Sequence, residues 1–257
     1  MKLVLMVGLL AAGFFLVMLG FLEAGRRLGA RQVARDGEGA KSSTVDAAVF
    51  GLMGLLIAFT FSGAAGRFDA RRQLVVQEAN DIGTAWLRLD LLPASEQSSL
   101  REKFRQYVAS RLAVYRRLPD IQAARTELAR STALQSDIWT QAVSACKEST
   151  TTPAAAMLLP ALNQMFDIAT ARTMAAQMHP PALIYAMLFL VMLAGSSLAG
   201  YGMATAKARN WFHILVFLTV NVLAIYIILD FEFPRFGLIQ LGGFDQVLVD
   251  LQQNLKP

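Results

Sequence analysis

The sequence predicts an all-α membrane protein: four transmembrane helices in two pairs, with an extramembrane helical bundle inserted between spans two and three. Three observations carry this. Apolar residues gather in blocks at 3–22, 45–65, 181–203 and 211–229, each close to the ~20 residues an α-helix needs to cross a ~30 Å hydrocarbon core. The first and third blocks contain no charge, while Asp46 and Asp230 stand only at the rims of the second and fourth. Between the pairs, apolar residues recur at helical spacing and no strand pattern competes. The implied domains are a first helix pair (1–65), a bundle (66–180), a second pair (181–231) and a tail with a short amphipathic helix (232–257).

The elements follow in order. Lys2 and its apolar run resemble a signal peptide, yet the run is long and lacks a small-x-small cleavage site before Arg26-Arg27, which predicts a retained span. Arg35-Asp36-Gly37-Glu38-Gly39 reads as a polar turn, and Ser42-Ser43-Thr44 as N-cap candidates for the second span. That span is expected to continue beyond the membrane, because Phe68, Val75, Ala79, Ile82, Trp86 and Leu89 make one apolar stripe. Pro93 ends it, and Ser95 reads as the next N-cap. A second bundle helix buries Leu100, Phe104, Tyr107, Val108, Leu112, Tyr115 and Leu118 before Pro119-Asp120. A third carries Ala124, Leu128, Ile138, Trp139, Ala142 and Cys146. The run 149–153 is expected to be a loop. A fourth helix shows Leu158, Leu162, Met165, Ala169 and Met174 before the kinked junction His179-Pro180-Pro181. Single apolar faces of this length pack into antiparallel bundles or onto the same domain of a neighbour.

Composition excludes several functions. A net charge of +5 without a long Lys/Arg block argues against nucleic-acid binding. The single Cys146 allows no internal disulfide, and two histidines, His179 and His213, make a His-based metal site improbable. No nucleophile elbow, His-x-x-x-His, Cys-x-x-Cys or phosphate-binding glycine loop occurs, so the chain reads as a non-enzyme without metal or cofactor.

The second span places Gly51, Gly54, Ala58, Ser62 and Ala65 on one helical face. Small residues let helix backbones approach closely; around an oligomer axis the same face would line a pore. Gly195, Ser196, Ser197, Ala199 and Gly200 form a similar face in the third span, where close packing is the expected role. Asn221, in the middle of the fourth span, reads as a hydrogen-bonding link between helices or as a permeation site. Arg67, Asp69, Arg71 and Arg72 follow the second span as an anion-attracting vestibule or as ion-pairing, topology-setting residues. Glu78, Asn80 and Asp81 read as partners for those arginines. In Asp230-Phe231-Glu232-Phe233-Pro234-Arg235, the two carboxylates are expected to pair with Arg67, Arg71 or Arg72 rather than to bind Ca²⁺, which wants six to eight oxygens.

Two stretches, 58–65 with Arg67-Phe68-Asp69-Ala70-Arg71-Arg72, and Glu78-Ala79-Asn80 with Ile82-Gly83-Thr84-Ala85, resemble the bestrophin-like family of bacterial and plant membrane proteins. Asp230-Phe231-Glu232-Phe233-Pro234-Arg235, Gly237-Leu238-Ile239 and Phe244-Asp245 resemble its tail. Bestrophins proper are pentameric anion channels with four spans and a helical cytosolic domain, so the resemblance implies a homo-oligomer in the cell (inner) membrane that passes small ions. It also implies a cytosolic bundle. The charge pattern leans the other way. Arg26, Arg27, Arg31, Arg35, Lys41, Lys207 and Arg209 lie in the short loops, against Lys2, Arg67, Arg71, Arg72, Arg172 and Arg235 on the opposite side. Two functions fit the sequence: an anion-leaning oligomeric channel, or a non-conducting scaffold or envelope sensor whose bundle binds a partner.

Overall fold

The computed structural model describes residues 2–36, 44–148, 152–206, 208–234, 238–239 and 242–255. Among these, all regular structure is helical: α1 (Lys2–Asp36), α2 (Thr44–Arg88), α3 (Ala94–Arg116), α4 (Ile121–Glu148), α5 (Thr152–Gln177), α6 (Ala182–Gly202), α7 (Trp211–Glu232) and α8 (Gly242–Asn254). A 3-10 turn, Leu89–Leu91, links α2 to α3. Four helices are long and apolar enough to cross a membrane. The chain divides into one compact unit of residues 1–68 and 179–239 and a second of 69–178 and 240–257.

The first unit contains α1, α6, α7 and the apolar part of α2. Its helices α1 and α6 run in the same direction, with Phe14 edge-on to Phe189 at 5.0 Å and Tyr201 donating to Gln32. Glycine makes this approach possible. A Cβ added to Gly25 would lie 1.9 Å from the Ser197 carbonyl oxygen, and one on Gly200 would lie 1.8 Å from that of Leu22. Backbones this close gain contact over their whole length without a large apolar side chain. Met18, Leu22, Leu188, Met192, Ile214, Leu218 and Ile225 fill the interior around them.

The second unit is a bundle of α3, α4, α5 and α8 with the continuation of α2. The stripe at Val75, Ala79, Ile82, Trp86 and Leu89 is buried here, as its spacing predicts, while Phe68 at its start is buried in the first unit. Leu100, Phe104, Tyr107, Ile138, Leu158, Leu162 and Met165 are fully inaccessible in the bundle, and each such apolar side chain contributes about 1.5–3 kcal/mol on burial. The C-terminal helix is held on α3, where Arg105 Nε donates to the Leu255 carbonyl at 3.0 Å.

Three local expectations change. The N-cap of α3 is Pro93, and Ser95 already lies inside the helix, because the φ of Pro93 (−53°) suits a helix entry and Pro has no N–H to satisfy. Of the expected loop, Thr152 and Pro153 form the first turn of α5, where proline's missing N–H goes unused anyway; residues 149–151 lie outside the described residues. Met174, expected in the core, is exposed on α5. The polar turn at 37–39 and Ser42-Ser43 also lie outside the described residues.

Candidate functional site

On α2, Gly51, Gly54, Ala58 and Ser62 are exposed and Ala65 is half-buried. A Cβ on Gly51 or Gly54 would meet nothing within 4 Å. Among the described residues, nothing packs on this face at Gly51 or Gly54. Buried Met53 and Ala64 lie on another side of the helix, in the interior of this unit. The third-span glycines behave differently: Gly195 faces Met53 and Phe50 of α2, and Gly200 is locked against α1. Asn221 is buried, and its amide donates to the Phe217 carbonyl at 2.8 Å. That bond stays within α7 instead of crossing to a neighbouring helix, because the carbonyl one turn back lies within reach of the side chain.

At the bundle-side end of the spans, the acidic–aromatic motif assembles a cluster. Glu232 is fully buried. It accepts from Arg67 Nε at 2.9 Å, and Arg67 Nη2 lies 2.8 Å away. His179 Nδ1 is 2.9 Å from its other oxygen. The intervening aromatics pack sideways: Phe231 lies against Phe61 and Phe68, and Phe233 stacks on His179 at 4.5 Å. One short sequence thus ties the middle of α2 and the residues that lead into α6 to the end of α7. Asp230, also buried, accepts the backbone N–H groups of Leu238 and Ile239 at 3.1 and 3.0 Å. These backbone N–H groups, rather than an arginine, satisfy Oδ2 of Asp230. Arg235 lies outside the described residues.

The remaining arginines part company. Arg72 pairs with Asp69 at 3.0 Å on an exposed surface. Arg71 is buried within the second unit and donates to the carbonyls of Ala175 and Met178, each at 3.0 Å. A cation at these orphan carbonyls caps the C-terminus of α5 and meets the negative end of its dipole.

The second unit holds a cluster that sequence reasoning missed. Glu78, fully buried on α2, accepts from Arg111 at 2.5 Å and from Arg172 at 2.6 Å. Arg172 also pairs with Asp245 of α8 at 2.8 Å, and its guanidinium lies 3.7 Å from the centre of the Tyr115 ring. Arg111 donates to the Tyr115 hydroxyl at 3.1 Å. Burial alone would raise the Glu78 pKa, but Arg111 and Arg172 outweigh it and hold the carboxyl below its ordinary 4.5. Burial would likewise lower the Arg111 pKa, and the field of Glu78 pushes it up instead. Asp81, expected beside the arginines of the span end, accepts from Gln77 at 2.9 Å. The only sequence signal for the cluster is a carboxylate one residue before Ala79 in the buried stripe, together with arginines among apolar positions of α3 and α5.

A model of the bestrophin-like domain matches residues 12–235. The chain belongs to the bestrophin-like family. This bestrophin-like chain shares its fold with a mutant bacterial bestrophin homologue from Klebsiella pneumoniae at 12% identity, covering 94% of this chain and 98% of that one, with a TM-score of 0.69. It is similar to two crystal structures of single-site mutants described only as a membrane protein. One has 13% identity, coverage of 95% and 96%, and a TM-score of 0.71. The other has 12% identity, coverage of 95% and 97%, and a TM-score of 0.68. No curated protein matches the bestrophin-like sequence. Family and fold together make it an all-α membrane protein of bestrophin type.

Proposed function

We propose that the protein is a homo-oligomeric ion channel that crosses the cell (inner) membrane four times, with the α2 face of Gly51, Gly54, Ala58, Ser62 and Ala65 toward the oligomer axis. The exposure of that face carries the reading. Small residues on an otherwise bulky apolar helix have no packing role until a second surface reaches them, and the described residues supply none at Gly51 or Gly54. Around an axis, the face would leave a path wide enough for ions. Membership of a family named for bestrophins supports the same reading, as does the likeness to a bacterial bestrophin homologue.

On this reading the helical unit 69–178 lies outside the bilayer and the arginines that follow the apolar part of α2 bias permeation toward anions. The bias is modest, since Arg67 faces buried Glu232 and Arg72 faces Asp69. Ion flux through protein in liposomes tests the proposal. Wild type should conduct, and Ser62→Trp should abolish flux while the oligomer stays intact. Wild type without flux over a range of anions and cations would favour the scaffold reading, with the bundle as the docking element.

A further inference from the structure

A cleft lies on the side of α2 away from the small-residue face. It has a volume of about 300 Å³ and runs between α2 and α6. Leu56, Thr60, Gly63 and Arg67 form one wall, about 150° around the helix from the Gly51–Ser62 face. Pro180, Ile184 and Met187 belong to the opposite wall. Along α2, Arg67 and Leu56 are separated by about 16 Å, so the cleft has a polar end at the rim of the membrane and an apolar end within it. Because α6 starts at Ala182 and leads away from Pro180, its residues follow the same gradient.

We propose that this cleft is a binding site for an anionic phospholipid, with an acyl chain between Leu56 and Met187 and the headgroup phosphate on Arg67. The charge is arranged for it. Arg67 uses Nε and Nη2 on Glu232, while Nη1 is turned toward Gly63, where an added Cβ would lie 3.3 Å from it. A glycine at 63 therefore leaves that nitrogen open to the cleft. Glu232 is fully buried, whereas the Arg67 side chain remains 34% exposed. An approaching headgroup thus meets the cation first. Guanidinium–phosphate pairs form directional hydrogen bonds, and a neutral zwitterionic headgroup gains less from the same geometry. The site is independent of whether the protein conducts ions.

Competition between two lipids tests it. The full-length protein in detergent is given equal amounts of dioleoyl phosphatidylglycerol and dioleoyl phosphatidylcholine, and bound lipid is counted by native mass spectrometry. Wild type is expected to retain phosphatidylglycerol about fivefold over phosphatidylcholine, the preference one interfacial arginine supplies. Met187→Trp fills the deep end and should lose both lipids. Arg67→Gln should bring the ratio to parity. Because that change strands buried Glu232, Gly63→Leu serves as the second variant: it covers Nη1, keeps both Arg67 and Glu232 and should show the same parity. Equal retention by wild type, or retention undiminished in Met187→Trp, overturns the proposal. Thermal stabilisation by inorganic phosphate alone, matching that by phosphatidylglycerol, also overturns it and assigns the arginine to a free anion.

Discussion

The two compact units reach a fixed structure by opposite means. In the unit with α1, α6 and α7, helices are held by the absence of side chains: Gly25 and Gly200 let α1 and α6 touch backbone to backbone. In the unit with α3, α4 and α5, large side chains fill the core and a buried carboxylate, Glu78, receives two arginines. The contrast is what the proposed reading expects, with the first unit in lipid and the second in water. Lipid is as apolar as leucine, so burying leucine from lipid gains little and close van der Waals contact decides. In water, burying large apolar groups gains most, and a charge cluster set inside such a core is strongly destabilising to break.

Removing one member of the charge cluster should have the largest effect. Glu78→Leu strands Arg111 and Arg172 in the interior and is expected to destabilise the protein by about 3–5 kcal/mol. Denaturant unfolding should show this, and hydrogen exchange should rise first in 69–178. An effect below about 1 kcal/mol would mean that the cluster is hydrated and no different from a surface pair.

Next comes the glycine seam. Gly200→Leu must drive α1 and α6 apart and is expected to lose about 1–3 kcal/mol or more, read as a lower unfolding midpoint in mixed micelles. Gly202→Leu, with nothing within 4 Å of its Cβ, is the control and should stay within about 0.5 kcal/mol. Equal losses at 200 and 202 would remove close approach as the explanation.

Acid should separate the units further. Glu78 has a folded pKa below its ordinary 4.5, so it binds protons less readily when folded. Its contribution is fully present above the ordinary carboxylate range and is lost as pH falls through the lower folded value. Hydrogen-exchange protection within 69–178 should therefore fall with acid, and Glu78→Gln should flatten that dependence. An unchanged slope in Glu78→Gln would assign the acid sensitivity to another carboxylate.

The smallest effect is expected at Asn221. Its amide is satisfied within α7, so Asn221→Leu should shift stability by less than about 1 kcal/mol. A larger loss would show that the amide also holds a neighbouring helix.

The outcome for the charged residues shows how far a sequence can be read. Pairing of Glu232 with Arg67 was among the expected combinations, because both stand at span ends where charges gather. The role of Arg71 was not visible: as a cap on α5 it serves carbonyls, which every residue has and no sequence pattern marks. Glu78 was noticed and given the wrong partners, since the arginines nearest in sequence are not those nearest in space. Gly25 escaped notice because it follows the apolar run of α1 by only a few residues, in a segment that reads as a span end.

By itself the sequence determined the all-α class, the four membrane-length helices, the buried stripe that continues the second span and the helix break near Pro93, which falls between α2, ending at Arg88, and α3. Each of these depends on local properties: hydropathy summed over one helix, a repeat near 3.6 residues, or a missing N–H. Only the tertiary structure decided which charges meet and which small residues touch. The pairs that matter lie 33 residues apart for Arg111 and Glu78, 94 for Arg172 and Glu78, and 165 for Arg67 and Glu232. Charge attraction and close packing act on distance in space, and over such separations sequence distance carries no information about that.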